Sequence, residues 1–356
     1  MLPLEVLERA QAEMLDYAGS GMSVMELGAD SPEFRGILQD AEDALRKLMN
    51  IPANYKILFL PGGASSQYAA IPMNLLSSHQ CADYVVSGQL SKKASDEAKK
   101  YGDIVIAASS GGASPPYSAV PVTKSSDFRP DADYVHICYN NTIYGTKYFD
   151  IPETGNIPLV ADMTSCICSE PIDVTKFGLI YAGAEVNIAP AGITVVIVRN
   201  DLIGGARKDA PTTLDYKQMV ESNYNYEAPA VWCIYMAKLT LEWLLSIGGL
   251  EEIKRRNEKK ASLLYDYLDG QGQSYYTSPV DKKFRSMMNV VFHTGNGELD
   301  KQFTKEAAEQ GLINLAGHPS VGGICASIYN SMPYEGVERL VGFMKDFAKK
   351  NSKIQK

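Results

Sequence analysis

The sequence predicts an α/β protein with a mostly parallel central sheet in a large domain and a smaller α+β C-terminal domain. Three observations carry this. Short strand-like runs alternate with stretches of helical periodicity, the pattern of a sheet wound with crossover helices. The chain has 356 residues, 45% of them hydrophobic and 21% charged, enough for a large core and for two domains. Its last part changes to long helices around a single clear strand, so the boundary is placed between residues 1–250 and 251–356.

The elements follow in order. Leu4, Leu7, Ala10, Met14 and Leu15 recur at helical spacing, and a second helix covers Phe34 to Met49. Lys56 to Leu60 reads as a buried strand, and Pro61-Gly62-Gly63-Ala64-Ser65 turns from it into a helix. Short strands follow at Tyr84–Val86, Ile104–Ile106, Tyr134–Ile137, Leu159–Val160, Leu179–Ile180 and Thr194–Val198. Helices are expected at Val231–Ile247 and Glu251–Leu268. After a Gly270–Ser274 loop come a strand at Met288–Phe292 and helices at Leu299–Gln310 and Gly336–Lys349.

Composition excludes several classes. A net charge of −8 does not suit a general nucleic-acid surface, which needs a basic field. No apolar run is long enough to span a bilayer, and the N-terminus does not read as a signal peptide. Six cysteines in a chain of this size do not make a disulfide scaffold. Cys166 and Cys168 form a lone Cys-x-Cys pair, short of the four ligands of structural zinc. A cytoplasmic protein with buried free thiols is expected, with no metal, no nucleic acid and no membrane as partner.

The chemistry sits in a set of motifs. The Gly62-Gly63-Ala64-Ser65 turn opens a helix, so its backbone N–H groups and the helix dipole can hold a phosphate; it also reads as a plain strand–helix turn. Asp162 ends a strand, where a carboxylate can serve a ligand or cap a helix. Further stretches are Gly21-Met22-Ser23-Val24-Met25-Glu26, Pro72-Met73-Asn74-Leu75-Leu76, Asn141-Thr142-Ile143-Tyr144-Gly145, Val160-Ala161-Asp162-Met163-Thr164-Ser165 and Gly322-Gly323 with Ala326-Ser327-Ile328-Tyr329-Asn330. Together they resemble the phosphoserine aminotransferase family over almost the whole chain. That resemblance implies fold type I of the pyridoxal phosphate (PLP) enzymes, class V, a homodimer with active sites at the subunit interface, and a place in serine biosynthesis. It implies transfer of an amino group between glutamate and phosphohydroxypyruvate.

The resemblance also assigns residues. Ala64 and Ser65 fall at the phosphate turn. Thr142 matches a cofactor-contacting threonine, and Asp162 matches the carboxylate that keeps the pyridine nitrogen protonated. Several positions depart from the family pattern. Where the family runs Ala-Gly-Ala-Gln-Lys-Asn, this chain has Ala182-Gly183-Ala184-Glu185-Val186-Asn187, so Val186 stands where the Schiff-base lysine is expected. Valine has no nitrogen. Glu185 replaces a phosphate-holding glutamine. A carboxylate against a phosphate dianion repels by roughly a few kcal/mol at an effective dielectric near 20; Glu185 also reads as facing solvent. Leu90 replaces the aromatic that stacks on the ring. Asn225 is kept from an Asn-Thr pair that reaches the neighbouring subunit's phosphate, and Tyr226 takes the threonine's place. On the substrate side, Ala29 and Asp30 replace a His-Arg pair. His318 is kept, but Pro319 and Cys325 replace arginines whose planar forks suit phosphate and carboxylate.

These departures lead to two expectations. The first is a repurposed or pseudoenzyme homodimer, unable to perform normal PLP-dependent transamination. It would have no covalently bound cofactor, PLP held at most weakly and non-covalently, and a small-molecule ligand that is neutral or cationic. The alternative is residual or altered phosphoserine:2-oxoglutarate aminotransferase activity, with Asp162 and Glu185 as the acid–base pair to test.

Overall fold

The computed structural model describes residues 2–222 and 228–351. Helix α1 (Leu4–Ala12) leads to α2 (Pro32–Met49). Ser31 starts α2 by accepting the Phe34 N–H at 3.2 Å, with Pro32 at the first helical position, and Asn50 ends it in the left-handed conformation at φ 51°. Then come β1 (Tyr55–Pro61), α3 (Gln67–Leu75), β2 (Cys81–Val86), α4 (Gln89–Ala98) and β3 (Asp103–Ser109). Strands β4 (Tyr134–Cys138), β5 (Leu159–Asp162), β6 (Leu179–Gly183) and β7 (Ile193–Arg199) follow, then α5 (Tyr216–Ser222), α6 (Val231–Ser246) and α7 (Gly249–Asp269). The chain ends in β8 (Asn289–Phe292), α8 (Gly297–Glu309), β9 (Ile324–Ser327) and α9 (Tyr334–Asn351).

Among the described residues, β1 to β7 form one sheet in the order β1-β7-β6-β5-β4-β2-β3. The run from β6 through β5, β4 and β2 to β3 is parallel, and β7 is antiparallel to both its neighbours. Strands β2, β4, β5 and β6 are buried at every position, which is why they read as mostly apolar runs rather than as alternating ones. Two apolar clusters cover the two faces of the sheet. Helix α6 is buried along most of its length, with Ile234, Tyr235, Leu241 and Leu244 closed off from solvent. The C-terminal region has its own core: Tyr276, Phe292, Phe303, Phe343 and Phe347 pack edge to face around the antiparallel β8–β9 pair.

The expected α/β class with a mostly parallel sheet is present, and the expected strands fall inside β1 to β8. Strand β9 went unread because it is four residues long and its burial alternates. Helix α4 went unread because its polar face is broken by Ser91 and Ser95, both of which turn inward and are buried. All six cysteines are free thiols; five are buried and Cys325 is partly exposed. No single helix among the described residues is long and apolar enough to cross a membrane.

Candidate active site

The parallel strands end on one side of the sheet, and Asp162 is the last residue of β5, a usual place for a ligand-binding group in an open α/β sheet. Its carboxylate is buried. One oxygen, Oδ1, accepts the backbone N–H of Thr164 at 2.9 Å and the Thr164 hydroxyl at 2.7 Å. Tyr181, its register partner on β6, lies beside it. Burial pushes the Asp162 carboxyl above its usual range, the bonds from Thr164 pull it back, and the nearby Glu185 charge raises it.

Thr164 ties this carboxylate to the end of β6. Its hydroxyl oxygen accepts the N–H of Gly183 at 3.2 Å. The Glu185 side chain folds back over Gly183, so that a Cβ there would lie 2.5 Å from Glu185 Oε2 and would have to push this flexible side chain aside. Glu185 is solvent-exposed and Val186 is half-buried beside it.

The other wall comes from three loops. After β1, Gly62 takes φ +95° and the chain enters a short 3-10 turn, Ala64–Ser66, that runs into α3. Tyr68 on α3 lies close enough to the Asp162 charge for that charge to disfavour its own ionisation. Leu90 is half-buried in the first turn of α4, whose start is pressed against Asn141 and Tyr144; a Cβ on Gly88 would meet Asn141 Oδ1 at 2.5 Å. Thr142 is in that same loop, and its carbonyl oxygen lies 3.9 Å from Cys325 Sγ. Positions 142 and 325 are thus neighbours. Burial pushes the Cys325 thiol up to about 11.

Beneath these groups lies a polar floor that sequence reasoning missed. Asn140 donates to Ser165 Oγ at 2.7 Å and to Asn289 Oδ1 at 3.0 Å, and Ser286 donates to Asn140 Oδ1 at 2.6 Å. Asn289 then donates to Ser327 Oγ at 3.1 Å and to the Tyr329 hydroxyl at 3.0 Å. A second buried contact, between His136 Nε2 and the Tyr181 hydroxyl at 2.9 Å, lies within the sheet. Isolated polar residues inside apolar strands, such as His136 between Val135 and Ile137, were the available signal.

Other expected positions lie apart. Asp30 is exposed and pairs with Arg35 at 3.2 Å, so it brings no unpaired charge to the pocket. Ala29 lines a 380 Å³ cleft with Met25, Leu27 and the start of α6. His318 is exposed and its Nδ1 meets the Ser320 hydroxyl at 2.6 Å; Pro319 beside it is exposed too. Asn225 and Tyr226 fall outside the described residues.

The arrangement fits the ring-nitrogen end of a pyridine cofactor. A buried, firmly held carboxylate at a strand end can keep such a nitrogen protonated, and a helix start faces it across the sheet. At two other points the side chains do not match: Val186 supplies no amine and Leu90 no aromatic face.

The comparisons with known proteins span the whole chain. The family model described as Aminotransferase class-V matches residues 1–340. The phosphoserine aminotransferase of Bacillus cereus is 48% identical over 351 residues, covering 99% of this chain and 96% of that one. The solved phosphoserine aminotransferase of Bacillus circulans subsp. alkalophilus superposes with a TM-score of 0.94 at 44% identity, covering 99% of this chain and 96% of that one. A phosphoserine aminotransferase studied for radiation damage of its Schiff base gives a TM-score of 0.94 at 43% identity, with coverage of 98% and 97%.

These findings correct two expectations that rested on Val186, Glu185 and the altered anchors: that the chain is a pseudoenzyme or repurposed protein without normal PLP-dependent transamination, and that it holds no covalent cofactor. Relatives of nearly half-identical sequence over 99% of the chain are phosphoserine aminotransferases, and one with a TM-score of 0.94 carries a Schiff base. A handful of side chains was weighed above a scaffold that keeps the carboxylate clamp, the helix start and the packed sheet.

Proposed function

Since the chain belongs to the class-V aminotransferases, with phosphoserine aminotransferases 48% identical to it over 99% of its length, we propose that it is a phosphoserine:2-oxoglutarate aminotransferase acting in serine biosynthesis, in residual or altered form. It exchanges an amino group between glutamate and phosphohydroxypyruvate, with PLP as cofactor. The whole-length similarity is the observation that carries this reading.

PLP supplies an electron sink when bound. Asp162 holds a proton on the ring nitrogen. Thr164 holds its carboxylate in place through two bonds to Oδ1. Ala64 and Ser65 offer the backbone at the start of α3 to the phosphate, Thr142 and Leu90 form the walls, and Glu185 is the nearest free carboxylate for moving protons. Position 186 supplies no amine. The larger unit spans 1–250 and the smaller 251–356. The protein is a cytoplasmic homodimer, and Cys325, beside Thr142, borders the substrate.

The test is phosphoserine formation from phosphohydroxypyruvate and glutamate by the PLP-loaded protein, followed by borohydride reduction and peptide mapping. Product at a rate that Asp162→Asn lowers by about 10²-fold or more supports the reading. Absence of product at saturating PLP and substrates overturns it.

A further inference from the structure

Strand β9 alternates, with Cys325 and Ser327 partly exposed between buried neighbours, and Tyr329 continues the pattern past its end. This row borders the candidate site. Cys325 Sγ lies 3.9 Å from the Thr142 carbonyl oxygen. Next to Tyr329, the N–H of Asn330 donates at 3.2 Å to Oδ1 of Asn187, the residue after Val186. The Ser327 and Tyr329 hydroxyls therefore stand between the Thr142 loop and the segment that follows β6, over the amide floor.

A proton count fixes what these hydroxyls can do. Ser286 Oγ accepts two backbone N–H groups, from Met288 at 3.0 Å and from Asn289 at 3.1 Å. Both its lone pairs are then in use, so its 2.6 Å contact with Asn140 is a donation. The Asn140 atom that faces Ser286 is thus the amide oxygen, and the amide nitrogen faces Ser165 and Asn289. Asn289 must meet that nitrogen with its oxygen. Its own two N–H donors therefore go to Ser327 Oγ at 3.1 Å and Tyr329 Oη at 3.0 Å. Both hydroxyls enter these bonds as acceptors and keep their protons. Among the described residues, neither hydroxyl donates a hydrogen bond of normal geometry. If one turned toward the other, a proton would still be left over.

We propose that Ser327 and Tyr329 bind the α-carboxylate of the substrates through these two O–H donors, which Asn289 aims. The proposal rests on the transamination reading above, because the α-carboxylate is the anionic group that glutamate and phosphoserine share. A carboxylate only accepts, so it can take both spare protons. It also carries a single charge. A phosphate dianion would meet the Glu185 carboxylate, two residues before Asn187, with twice the repulsion, and this row offers it only neutral donors. Asn289 is fully buried and acts through the two hydroxyls, as a positioning residue.

The experiment is a calorimetric titration of the full-length protein, in excess PLP, with 2-oxoglutarate and with its α-carboxamide. Neither probe has an amine to react with the cofactor aldehyde, so binding is read without turnover. The parent should bind the carboxylate about tenfold more tightly than the amide, because hydrogen bonds to a charged acceptor are the stronger ones. Tyr329→Phe and Ser327→Ala should each cut that preference by about fivefold, and Ser327→Thr, which keeps the hydroxyl, should retain it. A merely structural role would weaken both probes alike and leave the ratio in place. Ser327 is partly exposed, so its two variants carry the test if Tyr329→Phe does not fold. No saturable binding of 2-oxoglutarate by the parent, or a preference that Ser327→Ala leaves within about twofold, overturns the proposal. Preference lost in the variants without phosphoserine formation by the parent would keep the donor pair and remove the proposed reaction; product with an unmoved preference would do the opposite.

Discussion

Thr164→Val removes a hydroxyl and keeps the shape, so it isolates the clamp on Asp162. The hydroxyl donates to a charged acceptor at 2.7 Å, a contact on the order of 1.5–3 kcal/mol when buried. It also accepts the Gly183 N–H at 3.2 Å, a long bond of roughly 0.5–1 kcal/mol. Thr164 is half-buried, so water replaces part of both, and a net loss of about 2 kcal/mol is expected. The loss should depend on pH. Burial already raises the folded Asp162 carboxyl above its usual value of 3.8. Folding therefore favours the protonated form: this group's stabilising contribution is complete below 3.8 and declines as pH rises through the folded value. Without the Thr164 hydroxyl that value moves higher still, so the decline lasts longer. Urea unfolding of parent and variant at pH 5 and pH 8 should show a larger difference at pH 8, while Thr164→Ser, which keeps the hydroxyl, should lose less than half as much. A difference under about 0.5 kcal/mol at pH 8, or one that shrinks as pH rises, would refute the clamp.

Three further outcomes can be checked. Val186→Lys places an amine at the end of β6, so phosphoserine formation should rise by about 10²-fold or more, and a borohydride-stable adduct should map to position 186; an unchanged rate would mean that a lysine elsewhere already fills the role. Glu185→Gln removes the charge that raises Asp162, so the Asp162 midpoint should fall and PLP should bind more tightly in an absorbance titration; weaker binding would place Glu185 away from the phosphate. Phe303→Ala opens the aromatic core around β8 and should cost about 3–5 kcal/mol in urea unfolding, whereas a loss under about 1.5 kcal/mol would mean that the neighbouring rings collapse into the space.

What could be read from the sequence followed from periodicity. Strands β4 to β7 are buried on both faces, so their runs are plain, and α2 carries a serine cap, a first-turn proline and a regular apolar stripe. Asp162 was legible because it closes a strand. Thr164, Tyr181, His136 and Asn289 were not, since their importance comes from neighbours 19 to 149 positions away, brought together by sheet register. Asp30 pairs with Arg35, five positions along and on the solvent side, a contact that a motif does not register. Val186 removes one amine from one position, and that local change says less about the reaction than a scaffold shared over the whole length of the chain.

The amide floor has a mechanical consequence. Asn140 and Asn289 join the loop after β4 to the first residue of β8, with Ser286 and Ser165 gripping Asn140 on both sides. These bonds are buried, so no solvent stands ready to replace them if the two sheets separate at this point. Tilting β8 away from β4 would break several of them at once. The seven-stranded and two-stranded sheets are therefore riveted directly beneath the pocket.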